Sequence, residues 1–246
     1  MTISVLELYP AHLSLNGDVG NRTALVRRMR LAGLDVAEHA YNPGDELPET
    51  PDIVTIGTGT SSAQRSLGFD IARIAPRLAE WSADGVVIFA AGAGFHLLSG
   101  SVRFSSDEVL PGAGVFAGSV DSSRPRTITE AFAVESDFGL LVGTENHTSV
   151  FVGRPDQKPL GRVRNGVGNG DGTDGAVVFN SYGTHLHGPA LVLNPALADH
   201  LIALAASRAG EDYVKNDEHV ALDKTVELAR SILINKLPGG VQKPRN

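Results

Sequence analysis

Two short runs in this sequence carry residue types and spacings suited to chemistry. Residues 180–199, NSYGTHLHGPALVLNPALAD, present His185 and His187. A histidine serves as a general base, and a His-x-His pair on a strand puts both rings on one face, a spacing that binds metal. Residues 86–100, VVIFAAGAGFHLLSG, read as a strand, a tight turn and a helix, with Gly92 at the turn. A turn of that kind holds a nucleophile at a helix N-terminus. The amide of the next residue, Ala93, and one from Gly57–Gly59 would then serve as an oxyanion hole. Here the apex has no side chain, and the chain has no cysteine at all. A histidine base with no thiol to activate cannot run thiol-based acyl chemistry. Read alone, each run has a plainer meaning: a Gly-rich turn, and a structural histidine in a loop.

Other candidates are weaker. Ser99 lies seven residues beyond Gly92 and is no substitute for a nucleophile at the turn. No third ligand accompanies His185 and His187 at metal-binding spacing, so neither metal nor cofactor is expected. The segment NGDGTDG at 169–175 resembles a calcium loop, but the sixth and twelfth positions from Asn169 hold Asp174 and Asn180 instead of Gly and Glu. Gly57-Thr58-Gly59-Thr60 is not followed by Gly-Lys-Ser/Thr and is no Walker loop.

These residues need a scaffold, and 246 residues suffice for one large domain or a domain with an extension. Hydrophobic content of 42% with 20% charged residues fits an ordinary globular chain. A net charge of −7 argues against nucleic acid or an anionic membrane as the main partner. No apolar run is long enough to span a bilayer. The start, MTISVLELYP, lacks a basic n-region, so a cytoplasmic location is expected.

The pattern predicts strands at Ile3–Leu8, Leu34–His39, Asp52–Gly57 and Val86–Ala90, with helices from Gly20-Asn21 and from about Ser62. Pro76 should kink or restart the second helix. Strand–helix alternation implies a mostly parallel sheet flanked by helices. Thr127–Val134, Gly139–Val142, Ser149–Val152 and Ala176–Ser181 read as mainly antiparallel additions. Pro195–Ser207 reads as an apolar helix. Ala221–Leu237 reads as an amphipathic one, with Leu222, Val226, Ala229, Leu233 and Leu237 on one face. The expected division is a main domain at 1–209, a helical extension at 210–237 and a disordered tail at 238–246.

Five segments together resemble class I glutamine amidotransferases of the cobyric acid synthase type, most closely the amidotransferase subunit of lipid II isoglutaminyl synthase. They are YPAHLSLNGDVGN (9–21), VVIFAAGAGFHLLSG, VGTENHTSVFVG (142–153), KPLGRVRNGVGNGDGTDGA (158–176) and GTHLHGPALVLNPALAD (183–199). The resemblance implies a flavodoxin-like α/β fold. It implies that Gly92 stands where the nucleophilic cysteine would be, that His187 is the retained catalytic histidine, and that Arg126 contacts the substrate, with Arg124 a close rival. It also implies a Mur-ligase-like partner in a heterodimer, with glutamine as the ligand of the pocket. Departures cluster at that pocket. Gly57-Thr58-Gly59-Thr60-Ser61 replaces a Gly-Gly-Gly-Gln-Asp turn, Asn16-Gly17-Asp18 replaces Tyr-Gly-Asp, and His96 replaces Gln. The expectation is a pseudo-amidotransferase. Its alternative is a structural or regulatory subunit of a ligase that uses free ammonia or another amine. A small-molecule role for the old pocket, lined by Thr60, Ser61 and His96, ranks lowest.

Overall fold

The computed structural model describes residues 1–238. The expected tail therefore lies outside the described residues, except for Pro238. The first half alternates strand and helix: β1 (Ile3–Leu8), α1 (Val19–Leu31), β2 (Val36–Tyr41), β3 (Ile53–Ile56), α2 (Ser61–Ala83), β4 (Val87–Ala91) and α3 (Ala93–Leu98). Then follow β5 (Ser99–Arg103), β6 (Val109–Pro111), β7 (Phe116–Asp121), β8 (Thr127–Ser136), β9 (Gly139–His147) and β10 (Val150–Gly153). The chain continues through β11 (Gly161–Asn165), β12 (Thr173–Asp174), β13 (Ala176–Val178) and β14 (Ser181–Thr184). It closes with α4 (Ala190–Leu193), α5 (Pro195–Arg208) and α6 (Asp217–Ile234).

The central sheet has the order β13-β14-β4-β3-β1-β2. All its pairs are parallel except the β13–β14 edge. Side chains alternate across a strand, so each strand feeds two cores. Leu6, Leu8, Val54, Ile56, Ile88 and Ala90 pack under α2 and α3. Ile3, Val5, Ile53, Val87 and Phe89 pack on the other face, against α1 and α5. This is the α/β sandwich that the alternation implied. Because the strands are parallel, the segments leaving β1, β3, β4 and β14 emerge at one end of the sheet, where ligands bind in open α/β folds.

Three local expectations are corrected. First, α2 does not restart at Pro76 but continues through it as one helix. An interior proline costs about 3 kcal/mol. Ile71, Ile74, Leu78 and Trp81 are all buried on the same helix, and each large apolar side chain contributes about 1.5–3 kcal/mol. Burial wins. Second, residues 176–181 are not one strand, because the chain turns at Phe179-Asn180 and β14 returns parallel to β4. Third, the additions form two separate four-stranded sheets, β10-β7-β5-β6 and β12-β11-β8-β9, and β5–β7 is parallel.

The last helix begins at Asp217, four residues before expectation, because Asn216 caps it. The Asn216 side chain accepts from the amides of Glu218 and His219. Its inner face is also more polar than the apolar periodicity suggested. Val226 and Leu237 are buried, but Ala229 is exposed. Arg28 of α1, 3% exposed, holds the helix through Asp223 (Nη1–Oδ1 2.7 Å) and is itself fixed by Asp199 of α5 (Nε–Oδ1 2.6 Å). Arg230 donates to Leu193 O (2.7 Å), Leu140 O (2.8 Å) and Asn194 Oδ1 (2.6 Å). So α6 docks on its own domain, leaving Leu228 and Ile232 outward. No helix among the described residues is long and apolar enough to cross a membrane.

Candidate functional site

The turn between β4 and α3 is pinned by its backbone. Gly92 N donates to Thr184 O (2.9 Å), and Gly94 N donates to Gly57 O (2.9 Å). The ends of β3, β4 and β14 are thereby tied together. Gly92 has φ 52° and ψ −115°. Side-chain-bearing residues adopt that region at a cost of about 1–3 kcal/mol and do so mainly at functional sites. The geometry is that of a sharp elbow, and glycine relieves its strain.

His187 faces this turn. An ideal Cβ built on Gly92 would lie closer than 3.0 Å to His187 Cε1. The histidine backbone is fixed to β9, with His187 N donating to Thr144 O at 2.8 Å and Thr144 N to His187 O at 3.1 Å. Its ring is 1% exposed, and its Nδ1 lies 3.4 Å from Asp18 Oδ2. A carboxylate on Nδ1 orients an imidazole so that Nε2 is left for proton transfer. Asp18 precedes α1, and its Oδ2 also accepts from Thr58 N (2.9 Å). His187 and this carboxylate therefore stand close together beside a turn that offers no nucleophile, with no hydrogen bond between them.

Two of the expected oxyanion donors already have acceptors within the chain. Ala93 N donates to Thr58 Oγ1 (2.9 Å), and Thr58 N is taken by Asp18. The Ala93 amide expected to face substrate is thus bonded within the chain in this structure. Gly57 contributes a carbonyl to Gly94, while Gly59 lines the cleft. Arg126 stands exposed on the rim and donates to Asn146 Oδ1 (2.7 Å). Its rival Arg124 is paired with Asp121 (2.9 Å). The cleft, about 180 Å³, is also lined by Thr60, Ser61, Gln64 and His96. Ser99 is buried and bonds Phe95 O (2.9 Å), away from the turn.

Behind the cleft lies a buried polar network that residue spacing did not reveal. Ser149 Oγ lies 3.0 Å from His96 Nε2. His147 Nε2 lies 3.1 Å from Glu145 Oε2. His185 Nδ1 lies 3.0 Å from Asp174 Oδ1. Thus His185 turns into this network while His187 turns toward Asp18, so the pair shares no ligand position. Among the described residues no three His, Cys, Asp or Glu side chains are grouped to hold a metal ion. Burial, aided by neighbouring imidazoles, holds His96 and His185 well below the ordinary histidine range. Burial raises the Asp174 carboxyl to about 6 against the pull of Thr184 and the His185 amide. At Glu145 burial is outweighed by bonds from His147, Thr129 and the amides of Gly168 and Val167, giving about 2.

Sequence comparison agrees with this geometry. Residues 29–194 match the CobB/CobQ-like glutamine amidotransferase domain. The chain belongs to this family.

Among amidotransferases of this family, it is 30% identical over 231 residues to the GatD subunit of lipid II isoglutaminyl synthase (glutamine-hydrolyzing) from Staphylococcus aureus (strain N315), covering 91% of each chain. It is 28% identical over 216 residues to the Streptococcus pneumoniae (strain ATCC BAA-255 / R6) GatD subunit, covering 85% of this chain and 83% of that one. The fold is shared with PurLQS from Thermotoga maritima, at TM-score 0.53 and 13% identity over 86% of this chain and 100% of that chain. It is shared equally with a glutamine amidotransferase from Thermotoga maritima, at TM-score 0.53 and 13% identity over 94% and 93%. The GatD relatives carry glutamine hydrolysis in their names, whereas this amidotransferase-family chain contains no cysteine.

Two residues of the site escaped sequence reasoning. Asp18 was visible only as part of an altered amino-terminal segment, 169 residues from His187 in the chain. Thr58 was visible only as a departure in a Gly-rich turn. A buried carboxylate and a β-branched residue beside glycines were the available signals.

Proposed function

We propose that this chain is an amidotransferase-type subunit of a lipid II isoglutaminyl synthase-like enzyme, and that it does not release ammonia from glutamine. Gly92 occupies the nucleophile's position, and His187 is a base left without a thiol to activate. The partner is a Mur-ligase-like protein that amidates the D-glutamate α-carboxyl of the peptidoglycan stem with free ammonia or another amine. The chain then serves the ligase by binding it. The carrying observation is the elbow at Gly92, which points at the His187 ring in a chain without any cysteine. Thiolate attack is the step that forms a glutamyl-enzyme, and nothing at this apex can perform it.

Co-expression with the Mur-ligase-like protein tests this reading. A stable complex is expected, since obligate interfaces bury more than about 2,000 Å². Stem amidation by the complex should proceed with ammonium and fail with glutamine as the only nitrogen source. Equal amidation from glutamine, or two proteins that elute separately with no effect on the ligase, would overturn it.

A further inference from the structure

The cleft has lost more than a side chain at position 92. The Ala93 amide opens α3 immediately after the elbow, and in an acyl-transfer site that amide stabilises the developing oxyanion. Here it already has an acceptor, the Thr58 hydroxyl at 2.9 Å. Thr58 is not free to leave. Its amide donates to Asp18 (2.9 Å), its carbonyl accepts from Leu15 N (3.0 Å), and its side chain is buried.

The same residue also blocks the apex. A Cβ built on Gly92 would lie 2.9 Å from Thr58 Cβ, and closer still to Thr58 Oγ1 and His187 Cε1. Real Cβ atoms essentially never come within 3.0 Å of another heavy atom. Turning Thr58 about χ1 moves its hydroxyl but not its Cβ, and that Cβ rides on a backbone held from both sides. His187 Cε1, by contrast, belongs to a ring at the end of a side chain that borders the open cleft. Nor does Thr58 replace the nucleophile: among the described residues no hydrogen bond joins its hydroxyl to His187, and its oxygen is engaged by Ala93.

We propose that Thr58 is the resident occupant of the oxyanion site. Its hydroxyl takes the amide that a substrate oxyanion would use, and its Cβ bars a side chain from position 92. The pocket is thus closed to acyl chemistry at two residues. The inference rests on reading residues 86–100 as an amidotransferase elbow, but it is tested by measurements that do not involve glutamine.

The first measurement leaves Gly92 in place. Thr58→Val keeps the shape and removes the hydroxyl. Amide hydrogen exchange at Ala93 should accelerate by about tenfold or more in this variant, with the rest of α3 unchanged. Unchanged exchange at Ala93 would overturn the hydroxyl's role.

The second measurement uses the absence of any other thiol in the chain. The single variant Gly92→Cys and the double variant Gly92→Cys with Thr58→Gly are compared as full-length proteins by iodoacetamide alkylation and thermal unfolding. A thiol freed to face a helix N-terminal amide becomes more thiolate-like, so alkylation should be about tenfold faster in the double variant. The loss of Tm caused by Gly92→Cys should shrink by about half or more when Thr58→Gly is also present, because the two sites are in contact. Equal alkylation rates together with additive Tm changes would overturn the proposal. A Gly92→Cys protein that fails to fold, rescued by Thr58→Gly, would support it. Failure of rescue would count against it.

Discussion

The His187 ring stands with Nδ1 3.4 Å from the Asp18 carboxylate, while its Cε1 fills the space where a side chain on Gly92 would begin. A buried histidine, a nearby carboxylate and a sharp elbow converge there, and the apex of the elbow carries no side chain. The elements that hold this arrangement determine how the protein responds to mutation and to pH.

Gly92→Ala should destabilise the fold. Its backbone conformation alone costs a non-glycine residue about 1–3 kcal/mol, and overpacking against Thr58 adds about 1–3 kcal/mol. Urea unfolding should therefore show a lower midpoint with an unchanged slope. Wild-type stability would mean that the turn is looser than its hydrogen bonds indicate.

Arg28→Ala should release α6. The buried guanidinium joins α1 to Asp199 and Asp223, and removing one partner of a buried ion pair costs about 3–5 kcal/mol. Lys215 also touches both carboxylates, which places the expected loss near the lower end. Hydrogen exchange should rise first along Asp217–Ile234. Uniform exchange across the domain, or no loss of stability, would contradict the docking of this helix by charge.

Acid should weaken the protein well above the carboxylate range. Unfolded histidines take up protons as pH falls through about 6.5, whereas the buried His96 and His185 do not. The unfolded state then binds more protons, so stability falls with pH. Asp174 acts oppositely: its folded pKa, about 6, is raised, so the folded state gains that proton first. Two histidines outweigh one carboxyl, leaving a net slope of about 1.4 kcal/mol per pH unit below about pH 6. Denaturation at about pH 7.5 and about pH 5 measures it, and His96→Gln should flatten the slope. A flat profile in the wild type would show that these imidazoles are not kept neutral.

The sequence revealed the scaffold better than the site. Buried strands such as VVIFAA and IVTIG announce a parallel sheet, because both faces of each are covered. The turn at Phe179-Asn180 did not show, since a bulky β-prone residue occupies a positive-φ position there (φ 48°). The polar face of α6 was hidden because its partners, Arg28 and Asn194, come from distant segments. In the cleft, Gly92 and His187 were legible from local runs. The roles of Asp18 and Thr58 depend on contacts made only when β1, β3 and β14 end at the same edge of the sheet.

Asp18→Asn probes the partnership at the base. It leaves an acceptor for Thr58 N but removes the charge beside His187 Nδ1. A hydrogen bond to a charged group contributes about 1.5–3 kcal/mol, so part of that stability should be lost. The His187 ring should also lose its fixed orientation, read as a displacement of its ring resonances at constant pH. Unchanged ring resonances in the variant would separate Asp18 from His187.

The central claim is that this amidotransferase fold no longer hydrolyses glutamine. Glutamate release from glutamine should be measured for the chain alone and in complex with its ligase partner, beside a His187→Ala control. The account predicts the same background rate in all of them. Turnover above that background which disappears in His187→Ala would reveal a working nucleophile and contradict it.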